Sequence, residues 1–253
     1  MTAVKTIAAV LVLAAMMAAQ KIPPGTALPV TLSSDIHGKK IQPDQAIVAT
    51  IAQNVPLPAG AMIRAGARVE GRVLETGMNA DGTAKLRFKF DVVRTKEREL
   101  PISTSLRTLA SPVEVQNAGL PIHGPVNAET DANWTTVQVG GDDVYRGGGH
   151  VVHGDRVVGE PVAGGVLAEL ISMPAPGCEN GSGGRRLALW VFSSSACGAY
   201  GFGKLWIEHA GDSSPIGEIL LRGKKNVHLR QGSAMLLMVT EAPQPQTSDK
   251  PHN

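Results

Sequence analysis

Apolar and polar residues alternate along much of the chain, and this pattern predicts β-strands. In residues 85–91 the side chains of Leu86, Phe88 and Phe90 share one face, and charged side chains occupy the other. Successive side chains of a strand point to opposite faces, so one face of this strand belongs to a core and the other to solvent. The same period of two predicts further strands over residues 28–32, Ala46–Ile51, 68–74 and 100–106.

The first predicted strand is expected to be half-buried. Leu28, Val30 and Leu32 share the face that we expect in the core, while Pro29 and Thr31 share the face that we expect in solvent. Gly25 precedes this strand, and glycine there permits backbone conformations that are closed to other residues.

The pattern becomes irregular between residues 110 and 133, where proline, glycine and asparagine are frequent, and strand-like runs resume afterwards. No stretch keeps apolar residues at spacings of three and four, so any helix after the N-terminal segment is expected to be short. The later strand-like runs cover residues 134–139, 166–171, 187–192, 205–209, 216–221 and 235–239.

The composition supports the same fold class. The chain of 253 residues is 43% hydrophobic but only 4% aromatic, with 29 Gly and 17 Pro, which favours many short strands joined by turns. The formal net charge is only +2 and charges of both signs are interspersed, so no basic face is available to neutralise phosphates. We therefore expect an all-β protein with no nucleic-acid partner and no cofactor.

The N-terminal residues read as an export signal. Lys5 supplies a positive charge, and residues 6–19 form an uncharged apolar run that ends in small residues. We expect a cleaved signal peptide over residues 1–20 and an extracytoplasmic protein, periplasmic or secreted, with no stable membrane span afterwards. The alternative is an uncleaved inner-membrane anchor. The proline-rich residues 242–253 are too polar to pack and are expected to form a disordered tail.

Export makes the cysteines informative, because an oxidising compartment allows disulfides to persist. Cys178 and Cys197 are the only two cysteines, and they flank a Gly-rich turn and a strand-like run. We expect a disulfide between them. Two buried thiols or a metal half-site are the alternatives, although no histidine at matching spacing accompanies the pair.

Other candidate chemistry is weaker in the sequence. His150, His153 and Asp155 are the only clustered metal-capable side chains, but they read better as the tip of a hairpin. Ser193–Ser195 lack a G-x-S-x-G elbow and are expected to end a strand. The aromatic residues Trp134, Trp190, Tyr200, Phe202 and Trp206 are expected in a core; the alternative is a platform that stacks on carbohydrate. We expect no catalytic residue and no metal site.

Three segments together resemble the barrel domain of the TrbI/VirB10-like family. An opening strand carries the turn Pro24-Gly25-Thr26, and a later segment combines rigid turns, glycines and apolar residues up to Gly71. A basic alternating strand follows, and residues 227–239 are similar to the closing strand of the family. The later segment contains Ala59-Gly60, Ile63, Ala65-Gly66, Val69 and Gly71. The resemblance covers about residues 22–104 and 226–240.

The resemblance implies a small closed barrel in the cell envelope, and closure of a barrel makes its N-terminal and C-terminal strands neighbours. We expect residues 21–105 and 226–241 to form this barrel and residues 106–225 to form a large Gly-rich β insertion that contains the disulfide. The expected function is that of a non-enzymatic exported protein, a stand-alone structural or interaction module with envelope protein partners. The alternative is a secreted ligand-binding or carbohydrate-binding protein, or a hydrolase, that uses the insertion.

Overall fold

The computed structural model describes residues 21–120, 134–146, 151–153, 156–162, 165–168, 187–188, 190–193, 196–209 and 217–241. The predicted signal peptide and the predicted tail lie outside these residues. Among the described residues, no helix has the length and apolar composition that a membrane span requires.

The described residues form twenty strands and one α-helix, with a single 3-10 turn at Pro58–Gly60. In chain order the elements are β1 Ala27–Leu32, β2 Ile36–His37, β3 Ala46–Ile51, β4 Val55–Pro56, β5 Met62–Ile63, β6 Arg68–Met78, β7 Ala84–Arg94, β8 Glu99–Pro101, β9 Thr104–Ala110, α1 Pro112–Gly119, β10 Trp134–Gln138, β11 Gly141–Arg146, β12 Val151–His153, β13 Arg156–Val162, β14 Gly165–Ala168, β15 Leu187–Ala188, β16 Gly198–Tyr200, β17 Leu205–Glu208, β18 Ile219–Gly223, β19 His228–Leu229 and β20 Ala234–Val239.

A ten-stranded sheet that is nearly closed into a barrel dominates the fold. Its strand order is β16-β9-β20-β1-β3-β6-β7-β18-β17, and β8 pairs with β7 beside this path. The two ends of the path, β16 and β17, follow each other in the chain and are joined by the turn at residues 201–204. The predicted all-β class and barrel architecture are therefore confirmed.

The two ends of the described chain meet in this sheet, as closure predicts. Strand β1 pairs antiparallel with β20, and the register sets Leu28 opposite Leu237. Two backbone hydrogen bonds extend the pairing beyond β1: Gly25 N donates to Val239 O at 2.8 Å, and Val239 N donates to Thr26 O at 2.9 Å. The pairing of the first and last strands therefore forms part of the barrel wall.

The barrel interior is built from the alternating residues that the sequence indicates. In β7, Leu86, Phe88 and Phe90 are buried while the residues between them are partly exposed. The rings of Phe88 and Phe90 meet edge to face, with centroids 5.9 Å apart. These side chains join one continuous core with apolar residues of β1, β3, β6, β18 and β20.

The expected half-burial of β1 is wrong for Pro29, which is buried. A second apolar cluster covers the outer face of β1, β20 and β9, and it includes Ala27, Leu236, Val139 and Phe192. Strands that are covered on both faces lose the alternation of apolar and polar residues. This explains why β20 reads as an uninterrupted apolar run, AMLLMV.

Helix α1 contributes to this second cluster. Ser111 caps its N-terminus by accepting a hydrogen bond from Glu114 N at 3.3 Å, and Pro112 occupies the first turn, where its missing N–H costs nothing. The helix buries Ala118 against the barrel and leaves Val113 exposed. Its eight residues agree with the expectation of short helices.

A second, six-stranded sheet has the order β10-β11-β12-β13-β14-β15, and the pairs β2/β19 and β4/β5 form small ribbons. Strands β16, β17 and β18 come from the range 106–225 yet belong to the barrel sheet. The division of the chain into a barrel and an inserted domain stays a prediction.

Candidate functional site

The predicted disulfide partners are described only in part. Cys197 lies in the barrel core with 2% of its surface exposed. Its backbone is held by Tyr200, whose hydroxyl donates to Cys197 O at 3.0 Å and accepts from Cys197 N at 3.3 Å. Cys178 lies outside the described residues, so the disulfide stays a prediction.

His153 is the one member of the histidine cluster among the described residues, and it lies on a hairpin, as the sequence indicates. Strand β12 pairs with β13 so that Val152 lies opposite Val157 and His153 opposite Arg156. His150 and Asp155 lie outside the described residues. Among the described residues, no group of three or more His, Cys, Asp and Glu side chains is arranged to hold a metal ion.

Ser193 is a structural residue in this fold. Its side chain is fully buried, and its hydroxyl donates to Gly140 O at 3.3 Å, which ties two distant segments together. The backbone continues the same contact, because Ser193 N donates to Val139 O at 2.9 Å. Ser194 and Ser195 lie outside the described residues.

The described aromatic side chains do not share one surface. Trp190 and Tyr200 pack against the second apolar cluster, whereas Phe202 packs against the barrel core. Trp206 is partly buried on β17, and Trp134 begins β10. The described part of the chain therefore offers no aromatic platform of the kind that stacks on a sugar ring.

Charges on the outer wall of the barrel neutralise one another. Every lysine and arginine of β6 and β7 lies within ion-pair distance of a carboxylate. Arg94, for example, reaches both Glu70, at 3.1 Å, and Glu99, and the bond to Glu70 raises the pKa of Arg94 above its ordinary value. Lys85 bonds to Glu75 and holds the pKa of Glu75 below its ordinary value.

A cleft of ≈ 270 Å³ opens at the end of the barrel where β6 finishes and β7 begins. We call it the lysine cleft. Lys39, Lys85 and Lys225 line it together with the apolar side chains of Ile41 and Met78 and the carboxamide of Asn226. Met78 is 55% exposed at this point and so presents a large apolar side chain to the cleft.

Two turns that are distant in sequence form one side of the lysine cleft. Gly38 N donates to Val227 O at 2.8 Å, and Gly38 O accepts the hydroxyl of Thr76 from β6. The backbones approach so closely that a β-carbon on residue 38 would stand 2.9 Å from Val227 O. Only glycine fits this contact without a shift of the backbone, so Gly38 allows the two turns to pack against each other.

Each of these turns carries the tripeptide Gly-Lys-Lys, at residues 38–40 and again at residues 223–225. Among the described residues, no carboxylate lies within ion-pair distance of Lys39, Lys40, Lys224 or Lys225. The sequence analysis missed this site. The repeated tripeptide is the signal in the sequence that could have indicated this site. Two copies of the same charged turn form a single site when the strands beside them pair.

A small polar cluster adjoins the lysine cleft on the β2/β19 ribbon. His37 lies opposite His228, with ring centroids 4.9 Å apart, and His228 Nε2 is 3.7 Å from Asp35 Oδ2. Asp35 Oδ1 accepts a hydrogen bond from Gln231 N at 2.7 Å, and this bond is the main cause that lowers the pKa of Asp35. The carboxylate thus joins the turn before β2 to the turn before β20.

Comparison with known proteins assigns no relative. No family model, no curated protein and no solved structure matches the chain. The resemblance to TrbI/VirB10-like barrels therefore stays a prediction from the sequence.

Proposed function

We propose that this protein is a non-enzymatic, exported module of the cell envelope that holds a partner protein at the lysine cleft. One observation carries the proposal: the cations of β6 and β7 are all paired with carboxylates, whereas the lysines of the two Gly-Lys-Lys turns, beside an open cleft, have no carboxylate of the described residues within ion-pair distance. Unpaired charges of one sign attract an oppositely charged partner and guide its approach.

The chemistry of the cleft suits binding. Lysine side chains, a carboxamide and apolar groups supply charge, hydrogen bonding and contact area. The hydroxyl of Thr76 is already committed to Gly38 O. The exposed Met78 adds a flexible apolar side chain, a type that adapts to irregular partner surfaces.

The envelope location is supported by the sequence. Residues 6–19 have the length and composition of a signal segment, and the segments near residues 22–104 and 226–240 resemble TrbI/VirB10-like barrels. N-terminal sequencing of the protein purified from fractionated cells tests the location. A mature chain that begins near residue 20 in the soluble extracytoplasmic fraction is expected. An intact N-terminus in the membrane fraction would favour the anchored alternative.

Site-specific photo-crosslinking in intact cells tests the interaction. A benzophenone amino acid replaces Met78 at the lysine cleft, and in a second protein it replaces Lys96 in the turn after β7. Residues 85 and 94, near the two ends of β7, are separated by roughly 30 Å along an extended strand, so position 96 samples the other end of the barrel.

Illumination is expected to give a discrete adduct from position 78 that position 96 does not give, and mass spectrometry of the adduct identifies the partner. If position 78 gives no adduct, or if both positions give the same diffuse products, the protein does not hold a partner at this cleft.

A further inference from the structure

The partner chemistry can be argued from the lysine cleft, and the inference rests on the proposed function. Lys39 and Lys225 come from different turns yet line the same cleft, and no carboxylate of the described residues lies within ion-pair distance of either, whereas Lys85 of the same cleft pairs with Glu75. Bringing like charges together is unfavourable, and an anionic group placed between them relieves the repulsion. The first requirement is therefore a partner with negative charge.

The size and lining of the cleft give a second requirement. Its volume of ≈ 270 Å³ falls just below the range of roughly 300–1,000 Å³ that is typical of pockets for whole small molecules. Ile41, Met78, Ala84 and Val227 give it apolar walls. A cleft of this size accepts an apolar side chain from a larger partner, with charged groups left at the rim.

Asn226 gives a third requirement. Its Oδ1 is buried, no donor among the described residues reaches it, and it lies close enough to Gly38 that a β-carbon there would stand 3.5 Å away. A buried acceptor without a donor is costly, and a ligand that brings an N–H group removes that cost. A carboxylate or sulfate ion offers no such donor at neutral pH, whereas a peptide backbone offers one at nearly every residue.

We propose that the lysine cleft binds an extended acidic peptide segment of the partner protein. One apolar side chain enters the cleft between Ile41 and Met78, carboxylates two residues before and after it pair with Lys39 and Lys225, and a backbone N–H donates to Asn226 Oδ1. The specificity comes from acidic residues placed two positions from an apolar residue, because side chains two positions apart in an extended peptide lie on the same side.

Fluorescence anisotropy with the purified protein tests this inference. The probe is a fluorescein-labelled pentapeptide, Glu-Ser-Leu-Ser-Glu, blocked at both ends, which places its leucine and both glutamates on one side when extended. The control probe carries glutamine in place of glutamate. Saturable binding of the acidic probe is expected, with much weaker binding of the neutral probe. Raising the salt from physiological to molar concentration should weaken binding, because the screening length falls from about 8 Å to about 3 Å.

Three variants locate the binding. Lys39→Gln combined with Lys225→Gln keeps the aliphatic stems but removes two ion pairs, and affinity should fall about fivefold. Asn226→Leu removes the acceptor and should cost a similar factor. Lys96→Gln is the matched control, since it removes an exposed lysine at the other end of the barrel and should leave affinity unchanged. Thermal unfolding of each variant shows whether the fold is retained.

The inference is overturned if the probe does not bind, if the double lysine variant binds as tightly as Lys96→Gln, or if inorganic phosphate at equal ionic strength displaces the probe completely. Displacement by phosphate would show a simple anion site. Any of these results leaves the proposed function standing if position 78 still crosslinks to a partner in cells. If the probe does not bind and position 78 gives no crosslink, both the inference and the proposed function are rejected.

Discussion

Gly71 of β6 packs directly against the backbone of Lys89 on β7. A β-carbon on Gly71 would stand 1.8 Å from the Lys89 carbonyl oxygen, and the pairing register of the two strands shifts between Glu70 and Gly71. Such a shift marks a β-bulge, which bends a strand and increases its twist. The close approach therefore belongs to the bend that curves the sheet toward closure.

Replacing this glycine is expected to destabilise the barrel strongly. In Gly71→Ala the added methyl group meets backbone atoms that cannot move aside, so the free energy of unfolding should fall by about 3 kcal/mol, as for overpacked cores. Urea denaturation measures the change. Gly119→Ala is the control, because a β-carbon there meets nothing within 4 Å. If both variants unfold at the same urea concentration, the two backbones are not in contact at Gly71.

The alternation of apolar and polar residues predicted the barrel strands that are covered by a core on only one face. Strand β7 keeps strict alternation because its outer residues reach solvent. The same rule failed at Pro29, since the cover over β1 comes from α1 and from residues near 192, far along the chain. The sequence likewise does not show which structural role each glycine has. Gly66 and Gly71 belong to the same glycine-containing segment, but Gly71 lies where two backbones approach closely, whereas Gly66 has open space around it and adopts a φ of 87°.

The lysine cleft could not be predicted for a related reason. Its two turns come together only because β2 pairs with β19, which joins residues 37 and 228. Such a pairing involves very short strands, and two residues carry too little periodicity to be recognised. The repeated Gly-Lys-Lys is visible in the sequence, but nothing local shows that the two copies meet.

The seam between the first and last strands should behave as a coupled pair. Leu28 and Leu237 lie opposite each other and are fully buried, so Leu28→Ala and Leu237→Ala should each cost about 2–5 kcal/mol. The double variant should cost less than the sum, by at least about 0.5 kcal/mol, because the two side chains share one contact. Val113→Ala, at an exposed position, provides the control. Strict additivity in urea denaturation would contradict the register of β1 and β20.

The predicted bond between Cys178 and Cys197 has a direct chemical test. Alkylation of the unfolded, unreduced protein should leave both cysteines unmodified, and peptide mapping should find the two joined. Reduction should lower the free energy of unfolding by about 3 kcal/mol, because a short loop is released in the unfolded chain. The variant Cys178→Ser with Cys197→Ser should match the reduced protein and should not respond to reductant. Alkylation of the unreduced protein would favour the alternative of two thiols.

Asp35 should make stability depend on pH in the acidic range. The hydrogen bond from Gln231 N, with smaller help from His228, holds the pKa of Asp35 below its ordinary value in the folded protein. The ionised form therefore favours folding, and this contribution is complete above the unfolded-state pKa of about 3.9 and is lost as the pH falls through the folded-state pKa. The difference in unfolding free energy between the wild type and Asp35→Asn should accordingly be constant near neutral pH and shrink below about pH 4. Because the largest cause is a hydrogen bond, high salt should preserve most of this difference, whereas a charge pair would be screened. A difference that grows as the pH falls would show that the carboxylate opposes folding and does not join the two turns.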